Sequence, residues 1–149
     1  MTRSVAFVLL AVFAGASLGV GAFTFGYAQG ASYLSNDPAA CINCHVMREQ
    51  YDGWMKGSHR SAAVCNDCHT PSGLVPKYAT KALNGYFHSY AFTTGWFPDN
   101  IRITARNLAV TEGTCLKCHQ DITDGIRATR AHNSPVSCLA CHRDVGHAH

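Results

Sequence analysis

The sequence predicts a mostly α protein with extensive loops: one N-terminal transmembrane helix, then a small domain built from two similar units, with little or no sheet. Three observations predict this. Residues Ser4 to Ser35 contain no Asp, Glu, Lys, Arg or His, and the apolar part, Val5 to about Tyr27, matches the roughly 20 residues a helix needs to cross a bilayer. The pentapeptide Cys-x-x-Cys-His occurs four times, beginning at Cys41, Cys65, Cys115 and Cys138, and uses all eight cysteines. Its spacing repeats: the first two motifs start 24 residues apart and the last two 23 apart, as a duplicated unit would.

The N-terminal segment comes first. A cleaved signal peptide has an apolar core of about 7–15 residues and a small-residue cleavage site. This run is longer, and Tyr27-Ala28-Gln29-Gly30 is a poor cleavage site. The segment 1–30 is therefore expected to be an uncleaved anchor. Arg3 is the only charged side chain on its short N-terminal flank, which sets the N-terminus inside and residues 31–149 outside, in the periplasm. Gly15 and Gly19 form a small-xxx-small pair suited to packing against another helix.

The motifs carry the chemistry. Two Cys-x-x-Cys pairs about twenty residues apart would also suit zinc, and eight cysteines would suit a disulfide framework. Neither needs a His after every second Cys, yet four of the nine His of the chain stand at that position. Cys-x-x-Cys-His is the pattern for covalent attachment of c-type haem, with the His able to reach the iron. The expectation is four covalent haems, held by Cys41, Cys44, Cys65, Cys68, Cys115, Cys118, Cys138 and Cys141, in a tetrahaem domain whose core is the haems themselves. The formal net charge is +3, but haem propionates would offset it. Lys and Arg are scattered without a basic stripe, so no nucleic-acid footprint is present.

Within the domain, residues 41–69 and 115–142 are the two dihaem repeats and 70–114 the linker. Asn36 is a plausible cap beside the Asp37-Pro38 turn. Pro71 to Pro76 mark another turn, and Lys77 to about Ala91 has helical periodicity, with Tyr78, Ala82, Leu83 and Phe87 near one face. Thr93 to Pro98 breaks it, and Asp99 to Asn107 is a short helix or extended segment. Each repeat places a His six residues before its second motif, His59 before Cys65 and His132 before Cys138. These two, with His147 beyond Gly146, are the candidate distal iron ligands, facing the motif residues His69, His119 and His142. His149 is terminal and expected to fray. The first motif continues to Met47, a thioether two residues past His45, and Met raises haem potential relative to His.

With its anchor, four motifs, the Cys41-x-x-Cys44-His45-x-Met47 start and the Val145-Gly146-His147 ending, the chain resembles the NapC/NirT family of membrane quinol dehydrogenases along essentially its whole length. Its short length and its ending are most similar to the branch that serves cytochrome c nitrite reductase. The resemblance implies a menaquinol dehydrogenase of the inner membrane, hetero-oligomeric with a periplasmic multihaem reductase subunit, most similar to the nitrite-reducing catalytic subunit. It implies Met47 as the first haem's ligand, with His45 unbound. It implies His142 with His59, His119 with His147, and His69 with a Lys of the partner subunit, where the internal repeat offers His132 as a rival. It also implies a quinol site with a Lys and, seven residues later, an acid. Lys81 matches the Lys; the second position is His88, and no Asp or Glu lies between Asp67 and Asp99. His88 would then replace the acid as proton acceptor or distal blocker, since His titrates near neutral pH, or the group lies elsewhere. A donor to nitrate or another reductase, a pure electron carrier, and a reductase using an open haem are the alternatives.

Overall fold

The computed structural model describes residues 3–129 and 137–147, and among these it contains helices and no strand. The first helix, α1 (Arg3–Tyr27), has 25 residues and buries none of them. At 1.5 Å per residue it is about 37 Å long, enough to span a hydrocarbon layer of about 30 Å. It ends at Gln29, whose φ of 50° is left-handed, and a short 3-10 segment, Gly30–Leu34, turns the chain back.

Next, Asp37 caps the 3-10 segment Pro38–Asn43 by accepting from the Ala39 N–H at 2.9 Å. The cap is thus Asp37 rather than Asn36. A 3-10 turn at His45–Met47 leads into α2 (Arg48–Lys56), and the second motif forms α3 (Cys65–His69). The linker helix, α4 (Leu74–Thr94), runs three residues further at each end than periodicity indicated. Pro76 falls in its first turn, where a missing N–H is harmless. Gly95 ends it at φ 69°, with Trp96 N–H returning to the Ala91 carbonyl at 3.0 Å; that left-handed position suits glycine. Asp99 to Thr104 is irregular. Then α5 (Ala105–Ala128) carries the third motif and α6 (Cys138–Cys141) the fourth.

Among the described residues no hydrophobic side chain is buried; Gly53, Thr70, Lys81 and Thr114 are the buried positions. Polar ties hold the motif segments together. Thr114 Oγ1 donates to the Cys68 carbonyl at 2.8 Å. Lys117 Nζ donates to the carbonyls of Asp67 and Thr70 at 3.0 and 2.8 Å, so α5 satisfies the C-terminal carbonyls of α3. Glu112 accepts from Ser137 Oγ, Cys138 N–H and Leu139 N–H at 2.5, 2.8 and 3.2 Å, which caps α6 and fixes it to α5.

Candidate haem centre and adjoining cavity

In the second, third and fourth motifs, both cysteines sit on a single helical turn. Residues i and i+3 of a helix share a face, so each pair presents two sulfurs to one side. The motif His stands at the helix end or break: His69 closes α3, His119 leaves helical geometry at φ −110°, ψ 20°, and His142 follows α6. The first motif is different. Its 3-10 segment stops at Asn43, Cys44 is extended, and a new turn starts at His45. That turn leaves His45 exposed and carries Met47 into a half-buried position.

The eight motif cysteines are unpaired in the structure, each available for attachment. The first cysteines of neighbouring motifs are in hydrogen-bonding reach, Cys41 with Cys65 and Cys115 with Cys138. The Cys65 thiol is pushed up by its bond to Cys41 and by burial, and burial first pushes Cys138 up to about 11. Motif 1 thus adjoins motif 2, and motif 3 adjoins motif 4, with α3 and α5 joining the middle.

The imidazoles pair across these turns. His59 faces His119 with ring centroids 6.0 Å apart, and His69 faces His147 at 5.9 Å. Two imidazoles bound to one metal from opposite sides stand roughly 6 Å apart, given metal–nitrogen bonds of about 2.0 Å. The residues therefore fit iron held between paired His. The resemblance implies other iron-sharing partners, His119 with His147 and His142 with His59; the ring neighbours here are His119 with His59 and His147 with His69. The reason is packing, since α3 lies against α5 and the C-terminal turn lies against α2. His147 Nδ1 bonds the Gln50 carbonyl at 2.8 Å, and His59 Nδ1 bonds Ser58 Oγ at 3.1 Å. Each bond frees Nε2 for a metal, the usual way a ligating His is oriented. Burial and then His147 hold His69 below the ordinary His range, in its neutral form. His132 and His149 lie outside the described residues.

Beside the first motif is a cavity of about 230 Å³ whose wall includes Cys41, Cys44, Met47, His69, Lys81 and His88. Lys81 is 7% exposed, and its Nζ donates to the Ser35 carbonyl at 2.6 Å. Burial and then Lys77 hold it below the ordinary Lys value. His88 Nδ1 is 3.2 Å from the Tyr33 hydroxyl, and burial followed by the Arg106 guanidinium holds it below the ordinary His value. Tyr33, Ser35 and Asn84 also line the cavity, and sequence reasoning missed them. Tyr33 and Ser35 belong to no motif. Asn84, three residues past Lys81 and one helical turn before His88, was legible only once the inward face of α4 was known; its Oδ1 accepts from Arg106 at 2.6 Å.

A single apolar helix joined to a cage of Cys-x-x-Cys turns and facing imidazoles defines a membrane-anchored c-type cytochrome. The family model for the NapC/NirT cytochrome c family, N-terminal region, matches residues 1–149, and the chain belongs to that family, whose haems are covalently bound. It is 38% identical over 148 residues to the cytochrome c-type protein NrfH of Wolinella succinogenes, covering 93% of this chain and 83% of that one. It is 32% identical over 136 residues to the cytochrome c nitrite reductase subunit NrfH of Nitratidesulfovibrio vulgaris, covering 91% and 82%. Among solved structures it matches the cytochrome c nitrite reductase NrfHA complex bound to the HQNO inhibitor, with TM-score 0.65, 28% identity, and coverage of 91% of this chain and 88% of that one.

Proposed function

We propose that this chain is the membrane-anchored quinol dehydrogenase subunit of a cytochrome c nitrite reductase complex, with segment 1–30 as anchor and residues 31–149 as a periplasmic domain of two dihaem units. It would oxidise menaquinol and pass electrons to a periplasmic multihaem catalytic subunit. The carrying observation is the cavity, which brings the divergent Cys41–Met47 motif against Lys81 and His88 beside the end of α1.

Four haems would be held by the eight motif cysteines. Met47 would bind one iron, with His45 unbound; His69 with His147, and His119 with His59, would bind two more; His142 would bind the fourth. When bound, the haems supply one-electron redox chemistry and a conducting route through the domain. The chain's own residues do the rest. Lys81, an ammonium pinned at the cavity wall, would donate to a quinol oxygen. His88, neutral because burial disfavours its cation, would take a quinol proton. In the tautomer whose Nδ1–H donates to the Tyr33 hydroxyl, the free acceptor is Nε2. Oxidation of one quinol releases two protons and two electrons, so the base must discharge to the periplasm between turnovers.

Purification of the anchored chain tests this. The expected result is reduction of the haems by a menaquinol analogue, and nitrite turnover only with a co-purified multihaem subunit. Haems that dithionite reduces but menaquinol does not would overturn the dehydrogenase reading.

A further inference from the structure

Helix α4 is inverted relative to a water-facing helix. Lys81, Asn84 and His88 line the cavity, whereas Leu83, Tyr86, Phe87 and Tyr90 do not and are 46–65% exposed. The outward set has the i, i+3, i+4, i+7 spacing of one helical face. Tyr86 packs on Phe87 and stacks on Tyr90, with centroids 5.3 and 6.5 Å apart. The stripe continues past Gly95 into Trp96, which is 79% exposed, and Phe97, which packs tilted against Phe92 with ring centroids 4.6 Å apart. A contiguous apolar surface of this kind marks a contact with something other than water.

We propose that the outer face of α4 and the Trp96–Phe97 loop lie in the interfacial zone of the bilayer, so that the chain touches phospholipid at a second place besides α1. Three observations favour lipid over a protein partner. The first is continuity with the span. The segment Gly30–Leu34, which begins just past the end of α1, packs on α4, and an added Cβ at Gly85 would stand 3.5 Å from the Tyr33 ring. The second is side-chain chemistry: Tyr86, Tyr90 and Trp96 each combine an apolar ring with a polar tip, the combination enriched at membrane–water interfaces. The third is charge. No Asp or Glu occurs between Asp67 and Asp99, the one acid next to the Trp96–Phe97 loop being Asp99 itself, while the Arg106 guanidinium lies 5.5 Å from the Phe87 ring centroid, a cation at the stripe that suits anionic headgroups. The consequence for the cavity is direct: the inward face of the same helix would open at the depth where a lipid-soluble quinol resides. The inference rests on α1 spanning the bilayer, and not on quinol oxidation.

The test uses the full holoprotein in phosphatidylcholine–phosphatidylglycerol vesicles containing a lipid with a diazirine high on its acyl chain. After photolysis, mass spectrometry maps the adducts. The expected result is lipid on peptides covering Leu83–Phe97 as well as α1, and loss of the former but not the latter in a Tyr86→Glu, Tyr90→Glu variant with unchanged haem content. Adducts confined to α1 in the wild-type protein overturn the proposal. Absence of label from α1 itself would instead mark failure of the anchor reading.

Discussion

Replacing Lys81 by Met removes the ammonium while keeping an unbranched chain of similar reach, so the cavity wall survives and one donor is lost. In the structure that donor is 2.6 Å from the Ser35 carbonyl, on a residue 7% exposed. A hydrogen bond from a charged group is worth about 1.5–3 kcal/mol, and each 1.36 kcal/mol is tenfold in rate. One of the Lys81 ammonium protons is already engaged by Ser35, which places the effect toward the low end, about tenfold in kcat/KM for menaquinol-dependent haem reduction. Stopped-flow reduction by a menaquinol analogue gives the rate, and the dithionite-reduced haem spectrum gives the haem content. Lys81→Arg should recover only part of the loss, because a bulkier fork must fit where the ammonium is already pinned. Wild-type kcat/KM in Lys81→Met, at full haem content, would refute the assignment of Lys81 to the quinol site.

Other perturbations probe the remaining parts. His88 lies below its ordinary value, so its neutral, proton-accepting form is complete at neutral pH and is lost only as pH falls through that lowered value. With Tyr33, Arg106 and Lys81 as its charged or titratable neighbours, menaquinol oxidation should hold level down to about pH 6.5 and decline below it. His88→Phe should abolish that acid limb and slow the reaction about 100-fold, while His88→Asp retains activity; a pH profile unchanged in His88→Phe would remove His88 from the proton path. His147→Gly should convert one low-spin haem to high spin, and added imidazole should restore it; an unchanged electron paramagnetic resonance spectrum would mean His147 binds no iron. Glu112→Ala removes the cap of α6, worth about 1 kcal/mol, so the Cys138 and Leu139 amides should exchange hydrogen about fivefold faster. Glu112 itself is pushed up by burial and down, more strongly, by its bonds from Ser137, Cys138 and Leu139. Its contribution is therefore full above the ordinary value of 4.5 and should fade as pH falls through the lower folded value.

Several features were legible without coordinates because each is a local property of the chain. The apolar run of α1 is long enough and apolar enough to cross a membrane by length and composition. The Cys-x-x-Cys spacing puts two sulfurs on one helical turn wherever the turn sits. Met47 stood out because only the first motif carries a Met two residues past its His; in the structure Met47 is half-buried and His45 exposed. The linker helix was found and its ends missed, because Gly73 and Gly95, not the loss of periodicity, set its limits.

What the sequence by itself determined is the count of attachment sites, the anchor and the membership of a cytochrome family, all written in contiguous residues. What only the tertiary structure decided is which side chains from distant segments meet. The pairing of His59 with His119 and of His69 with His147 depends on how α3 packs on α5 and how the C-terminal turn rests on α2. The approach of Tyr33 to His88 depends on how Gly30–Leu34 folds back on α4. The outward turn of the aromatic face of α4 followed neither from its periodicity nor from its composition: a helix with one polar and one apolar side says that it has two environments, and only the packing of its neighbours says which side faces which.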